Sequence, residues 1–219
     1  MAIGNVLLLT QIAGYLVSFI LSFCVLIPLI VNMKNFKGNC LLYTSGVFLD
    51  TGDFVPTWAS CGYCTYTAIL SAAIVLVSLA QLIRMSHFLR KGVDSSFISA
   101  FWDTVIAFLF VGLTILDAIF VTSGFSRWCS SVSQRFSSCE AGQGILHITQ
   151  DNQEINTTNF FIQMGTVQFG IWTLFVSWVL LLVLAGRKLS IYHERENLII
   201  SMSRDRQRYA SQGYNNLDI

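Results

Sequence analysis

Four apolar stretches, over about 6–31, 64–83, 97–121 and 160–185, constrain this chain more than any other feature. Each has the roughly 20 mainly apolar residues that a helix needs to cross a bilayer. In hydrocarbon the backbone must satisfy its own hydrogen bonds, which a helix does within one segment. The chain therefore reads as an all-α membrane protein: a four-helix transmembrane bundle over residues 1–186, extracellular loops at 32–63 and 122–159, and a cytoplasmic tail at 187–219. The first stretch has no Lys or Arg before it and outruns the 7–15 apolar residues of a signal-peptide core, so it reads as a retained span that tolerates Gln11 and Pro28. Composition agrees, with 11% charged residues against about 25% in soluble domains. A net charge of +1 and no basic stripe give no reason to expect a nucleic-acid partner.

Lys and Arg set the orientation. Arg84, Arg90 and Lys91 lie between the second and third stretches, and Arg187, Lys188, Arg195, Arg204, Arg206 and Arg208 follow the fourth. The two long loops together hold Lys34, Lys37, Arg127 and Arg135, so the positive-inside rule places both termini in the cytoplasm. The sequon Asn156-Thr157-Thr158 lies in the second long loop, where a glycan would be added outside. A plasma or endosomal membrane is the expected location.

Of the cysteines, Cys24 sits inside the first stretch and reads as a small buried apolar residue. Cys40, Cys61, Cys64, Cys129 and Cys139 lie in or at the edge of the loops, where an oxidising lumen favours disulfides. A Cys129–Cys139 bridge would close a short hydrophilic loop, worth about 3 kcal/mol by chain entropy. Cys40 then pairs with Cys61 or Cys64, leaving one thiol over. Zinc or redox chemistry at Cys61-Gly62-Tyr63-Cys64 would need further ligands, and His147 is the only lumenal histidine on offer. His87 and His193 fall on the other side, so neither a metal nor a cofactor is expected.

Within the loops, LLYTSGVFL (41–49) and GILHITQ (144–150) carry β-branched and aromatic residues between Gly and polar residues. One small sheet built from both loops and stapled by disulfides would cap the bundle. The stretches KNFKGNCLLYTSG, RWCSSVSQRFSSCE and VQFGIW resemble the transmembrane protein 179 family. That resemblance covers most of the chain up to the tail and, more distantly, is similar to the claudin-like tetraspan layout. It implies four spans and a cysteine set matching Cys40, Cys64, Cys129 and Cys139, hence a Cys40–Cys64 bridge with Cys61 as the odd thiol. No activity comes with it. Trp58 stands alone in the first loop, without the tryptophan-rich signature of claudins that form junction strands.

Two carboxylates, Asp103 and Asp117, interrupt the third stretch. An ionised aspartate at the bilayer centre costs about 2.5–3.5 kcal/mol on insertion scales, so each needs a partner. Fourteen residues apart, they share a helical face but sit about 21 Å from one another, too far to share a proton or a substrate atom. That separation argues against catalysis. Asp103 is expected to pair with Arg84, Arg90 or Lys91. Asp117 is expected to find Gln163, Gln168, Thr114 or Thr122 inside the bundle.

Gly14, Ser18 and Ser22 repeat every four residues, and Ala68 and Ala72 do likewise, making grooves that let a neighbouring helix approach. Trp102, Trp128 and Tyr66 are expected to anchor at the interfaces. In the tail, Glu194 with Leu198 and Ile199 fits an acidic dileucine pattern and Tyr214 with Leu217 a tyrosine-based one, both read by clathrin adaptors as extended peptides. Residues 217–219 could add a strand to a PDZ domain. The expected function is non-catalytic: lateral interaction in the lipid membrane as an accessory or regulatory subunit of a channel or receptor. A homo-oligomeric pore lined by Asp117 and a claudin-like adhesion protein are the alternatives.

Overall fold

The computed structural model describes residues 2–49, 53–91, 97–150 and 153–215. Four long helices carry it: α1 (Ala2–Asn35), α2 (Gly62–Lys91), α3 (Phe97–Val132) and α4 (Phe160–Asn215). All four are long and apolar enough to cross a membrane, and each extends past the boundary expected from its apolar run. Hydropathy bounds only the part inside hydrocarbon. At 36 residues, α3 is about 54 Å long against a core of about 30 Å, so residues 122–132, expected as loop, stand as helix beneath the cap.

Burial follows one rule in every helix. On α1 the buried positions are Gln11, Tyr15, Ser18, Ser22, Val25, Leu29 and Asn32, continued by Phe36 just past its end; on α4 they run from Met164 through Val167, Ile171, Leu174, Trp178, Leu181 and Ala185 to Lys188. Alternating steps of three and four give a mean period of 3.5, the pattern of antiparallel bundles with coiled-coil packing. Beyond Ser190 the described α4 side chains are half-buried and then, from His193 on, exposed, so α4 leaves the bundle and continues alone. α1 packs along α2 and α4, and α4 along α3, whereas α2 and α3 meet sparsely. The groove of Gly14, Ser18 and Ser22 is filled by α4: a Cβ on Gly14 would lie 2.7 Å from Leu181 Cδ2, and the Ser18 and Ser177 hydroxyls share a hydrogen bond of 2.8 Å.

The helix ends are closed locally. α1 stops in a Schellman turn, in which Lys37 takes a left-handed φ of 54°, the Gly38 N–H donates to Met33 O at 2.8 Å and the Lys37 N–H to Lys34 O at 3.1 Å. At the start of α4, Gln143 reaches over from the second loop and its Oε1 accepts the Phe161 N–H at 3.2 Å.

The cap holds two antiparallel hairpins, β1 (Ser45–Phe48) with β2 (Phe54–Thr57), and β3 (Thr149–Gln150) with β4 (Gln153–Glu154). The single sheet expected from both loops is thus two among the described residues, joined by a backbone bond from the Phe54 N–H to His147 O at 3.0 Å. Both expected strands are shorter than their apolar runs. Leu41 and Leu42 are buried in succession and Tyr43 has a φ of 63°, which breaks the alternation a strand requires. The disulfides are Cys40–Cys64 and Cys129–Cys139, with Cα separations of 5.8 and 5.0 Å. Cys61 is an exposed thiol, and Cys24 is half-buried at the bundle edge rather than buried.

Trp128 corrects another expectation. It is fully buried at the centre of the cap, with ring centroids 5.9 Å from Phe36, 5.4 Å from Phe54 and 6.0 Å from Phe160. The extension of α3 carries it past the interface into a packed aromatic core. Trp102 does stand exposed, and Tyr66 is half-buried.

Candidate functional site

The buried stripes hold unusual side chains for helices in lipid. α2 turns Thr67, Ser71, Ser78 and Gln81 inward, and α3 answers with Asp103, Thr114 and Asp117, none of them more than 5% exposed. Two clasps join these helices. Toward the tail end, Arg84 Nη2 on α2 donates to Asp103 Oδ1, and Gln81 Nε2 donates to the same oxygen at 3.3 Å. Toward the cap, the Thr67 hydroxyl donates to Asp117 Oδ1 at 2.6 Å.

The first clasp is the pairing expected for Asp103. The second corrects the partners expected for Asp117. Gln163 is taken by Asn32, whose Nδ2 donates to it at 3.2 Å, and the Thr122 hydroxyl accepts from Gln168 at 3.4 Å and from Trp172 Nε1 at 3.1 Å. Thr122 faces α4 whereas Asp117 faces α2. Thr114 lies one turn from Asp117 on the same face but donates to its own helix, at Phe110 O. Thr67 could have been found from the sequence, because its polar spacing of 67, 71, 78 and 81 repeats the bundle period inside an otherwise apolar run.

Several inward atoms have no hydrogen-bond partner among the described residues: Ser71 Oγ, Ser78 Oγ, Gln81 Oε1, Arg84 Nε, Asp103 Oδ2 and Asp117 Oδ2. Leaving one such group dry costs about 1–3 kcal/mol. Those of Gln81, Arg84, Asp103 and Asp117 belong to side chains that bridge α2 and α3, two helices that meet sparsely, and Ser71 is one turn from Thr67 on α2. A sparsely packed, oxygen-rich seam between two carboxylates is the chemically distinctive region of the molecule. Elsewhere polar pairs join α4 to α3 at Thr122 and α4 to α1, including Lys188 Nζ donating to Gln11 Oε1 at 3.4 Å.

At the cap end of this seam a shallow pocket is lined by Ser60, Gly62, Tyr63, Tyr66 and Phe120, with the Tyr43 ring tilted against Tyr63 at a centroid distance of 4.6 Å. Asn156 is exposed just ahead of α4, its Oδ1 accepting the Thr158 N–H at 2.9 Å. Glu194, Leu198 and Ile199 are exposed on the lone part of α4, the backbone at Tyr214 is helical, and Leu217 lies outside the described residues.

Residues 7–210 match the model of the transmembrane protein 179/179B claudin domain. The chain belongs to that family. The match takes in all four spans and both disulfides of the cap, so this transmembrane protein 179/179B member is a claudin-like multi-pass membrane protein. No solved structure matches the chain.

Proposed function

We propose that the protein is non-catalytic and acts by lateral contact, as an accessory or regulatory subunit of a channel or receptor in the plasma or endosomal membrane, with both termini cytoplasmic. The observation that carries this reading is an apolar patch on the first hairpin of the cap. Val47 and Val55 are cross-strand partners on one face, 68% and 50% exposed, and Leu49 beside them is 50% exposed. Contiguous apolar surface outside the spans marks a contact site, and the cap's aromatic core and disulfides hold it rigid for a neighbour of similar height above the bilayer. Burial of both carboxylates against α2 favours this reading over a ring of copies lined by Asp117, since a side chain turned into its own bundle cannot face a shared pore.

Copurification in mild detergent tests the proposal. A distinct larger membrane protein is expected to accompany the chain, and Val47→Asp with Val55→Asp is expected to release it at least tenfold while leaving the thermal midpoint unchanged. A homomeric ring would support the pore instead, and a lone monomer would support adhesion. Orientation has its own test. Asn156 stands outside in this reading, so glycosidase treatment of protein from cells should increase gel mobility, and Asn156→Gln should remove the shift. Clathrin adaptors remain candidate partners for the tail. Because Leu198 and Ile199 stand on α4 and adaptors bind such motifs extended, sorting through them requires this stretch to unwind.

A further inference from the structure

The chemistry around Asp117 suits a ligand of one kind. We propose that Asp117, Thr67, Ser71 and Thr114 form a binding site for a small monovalent cation of the sodium class, in the cap half of the α2–α3 seam. Thr67 and Ser71 are one turn apart on α2, Thr114 and Asp117 one turn apart on α3, and the 2.6 Å bond between Thr67 and Asp117 sets the two pairs at one level. All four side chains are fully buried. Asp117 Oδ2 and Ser71 Oγ have no hydrogen-bond partner among the described residues. The hydroxyls of Thr67 and Thr114 spend their protons on Asp117 and on Phe110 O, which leaves their oxygen lone pairs free to accept a cation.

Every donor in this set is a hard oxygen, and hard oxygens select alkali and alkaline-earth ions over transition metals. Charge selects among the former. The set carries one negative charge, and a divalent ion would leave an uncompensated positive charge buried among apolar side chains. Asp103 differs because Arg84 already matches it. The pocket lined by Tyr63, Tyr66 and Phe120 opens beside this site: Tyr66 precedes Thr67, and Phe120 is one turn beyond Asp117. Aromatic faces attract cations, so the pocket and the carboxylate draw the same ligand.

The test uses full-length protein in phosphatidylcholine nanodiscs, with unfolding followed by tryptophan fluorescence while choline chloride is exchanged for NaCl, LiCl or KCl at constant ionic strength. A saturable rise of several degrees in the thermal midpoint with NaCl or LiCl is expected. Asp117→Asn should abolish it, and Ser71→Ala should raise the concentration of half-effect several-fold. A flat response of the unmodified protein, or the same rise in Asp117→Asn, overturns the proposal. Should Asp117→Asn fail to fold, ²³Na relaxation on the unmodified protein decides: excess relaxation removed by Li⁺ supports the site, and no excess overturns it. A protonated-carboxyl infrared band from Asp117 persisting at saturating NaCl also overturns it.

Discussion

Arg84→Ala is expected to be among the most damaging single substitutions in the bundle, lowering stability by about 3–5 kcal/mol. The reason lies in what remains. Asp103 is wholly buried while the Arg84 side chain is 34% exposed, so removing the arginine strands a carboxylate whose one remaining hydrogen-bond donor among the described residues is Gln81, at 3.3 Å. The converse change should be much milder. Asp103→Ala leaves a long cationic side chain that can extend toward the interface, at a cost of about 1 kcal/mol. Replacing both at once, as Arg84→Met with Asp103→Leu, should recover most of the loss, because the desolvation of two charges disappears together. Thermal midpoints of the four proteins in nanodiscs check the ordering. A drop on the order of 10 °C for Arg84→Ala is expected, and equal drops for the two single variants would refute the asymmetry.

Trp128→Ala should cost a similar amount, about 3–5 kcal/mol, but in a different place. Its ring is the common neighbour of Phe36 just past α1, Phe54 on β2 and Phe160 at the start of α4. Each edge-to-face contact is worth about 0.5–1.5 kcal/mol beyond burial, and all three lie outside the lipid-spanning part of the bundle. The loss should therefore appear as an opened cap above intact spans. Amide hydrogen exchange at Phe54 and Val55 should speed up while the helical far-UV signal is retained, and Trp128→Phe should lie between the two. Unchanged protection in the alanine variant would show that the cap does not rest on this ring.

Much of the architecture was legible because the bilayer reduces folding to a question of length. An apolar run of about 20 residues has one stable solution in hydrocarbon, so the four spans follow from residue type alone, and the disulfide partners follow once the family resemblance separates Cys64 from Cys61. Asp103 was readable for a related reason: Arg84 sits across a short connection, at the same depth on the neighbouring helix. Asp117 was not, because its depth offers hydroxyls and amides on three helices, and only the rotation of α3 about its axis chooses among them.

The same division holds for the whole molecule. The order of apolar and charged residues determined that the chain is a tetraspan with a cysteine-bearing cap, since transfer free energy depends on composition and on nothing farther away. Tertiary structure alone decided that residues 122–132 continue as helix, that Trp128 leaves the interface for a core, that the loops form two hairpins, and that Asp117 meets Thr67. Each of these depends on how four cylinders turn and lean against one another. A helix in lipid gains little from hiding one apolar face over another, so its rotation is fixed by the fit and hydrogen bonding of its neighbours.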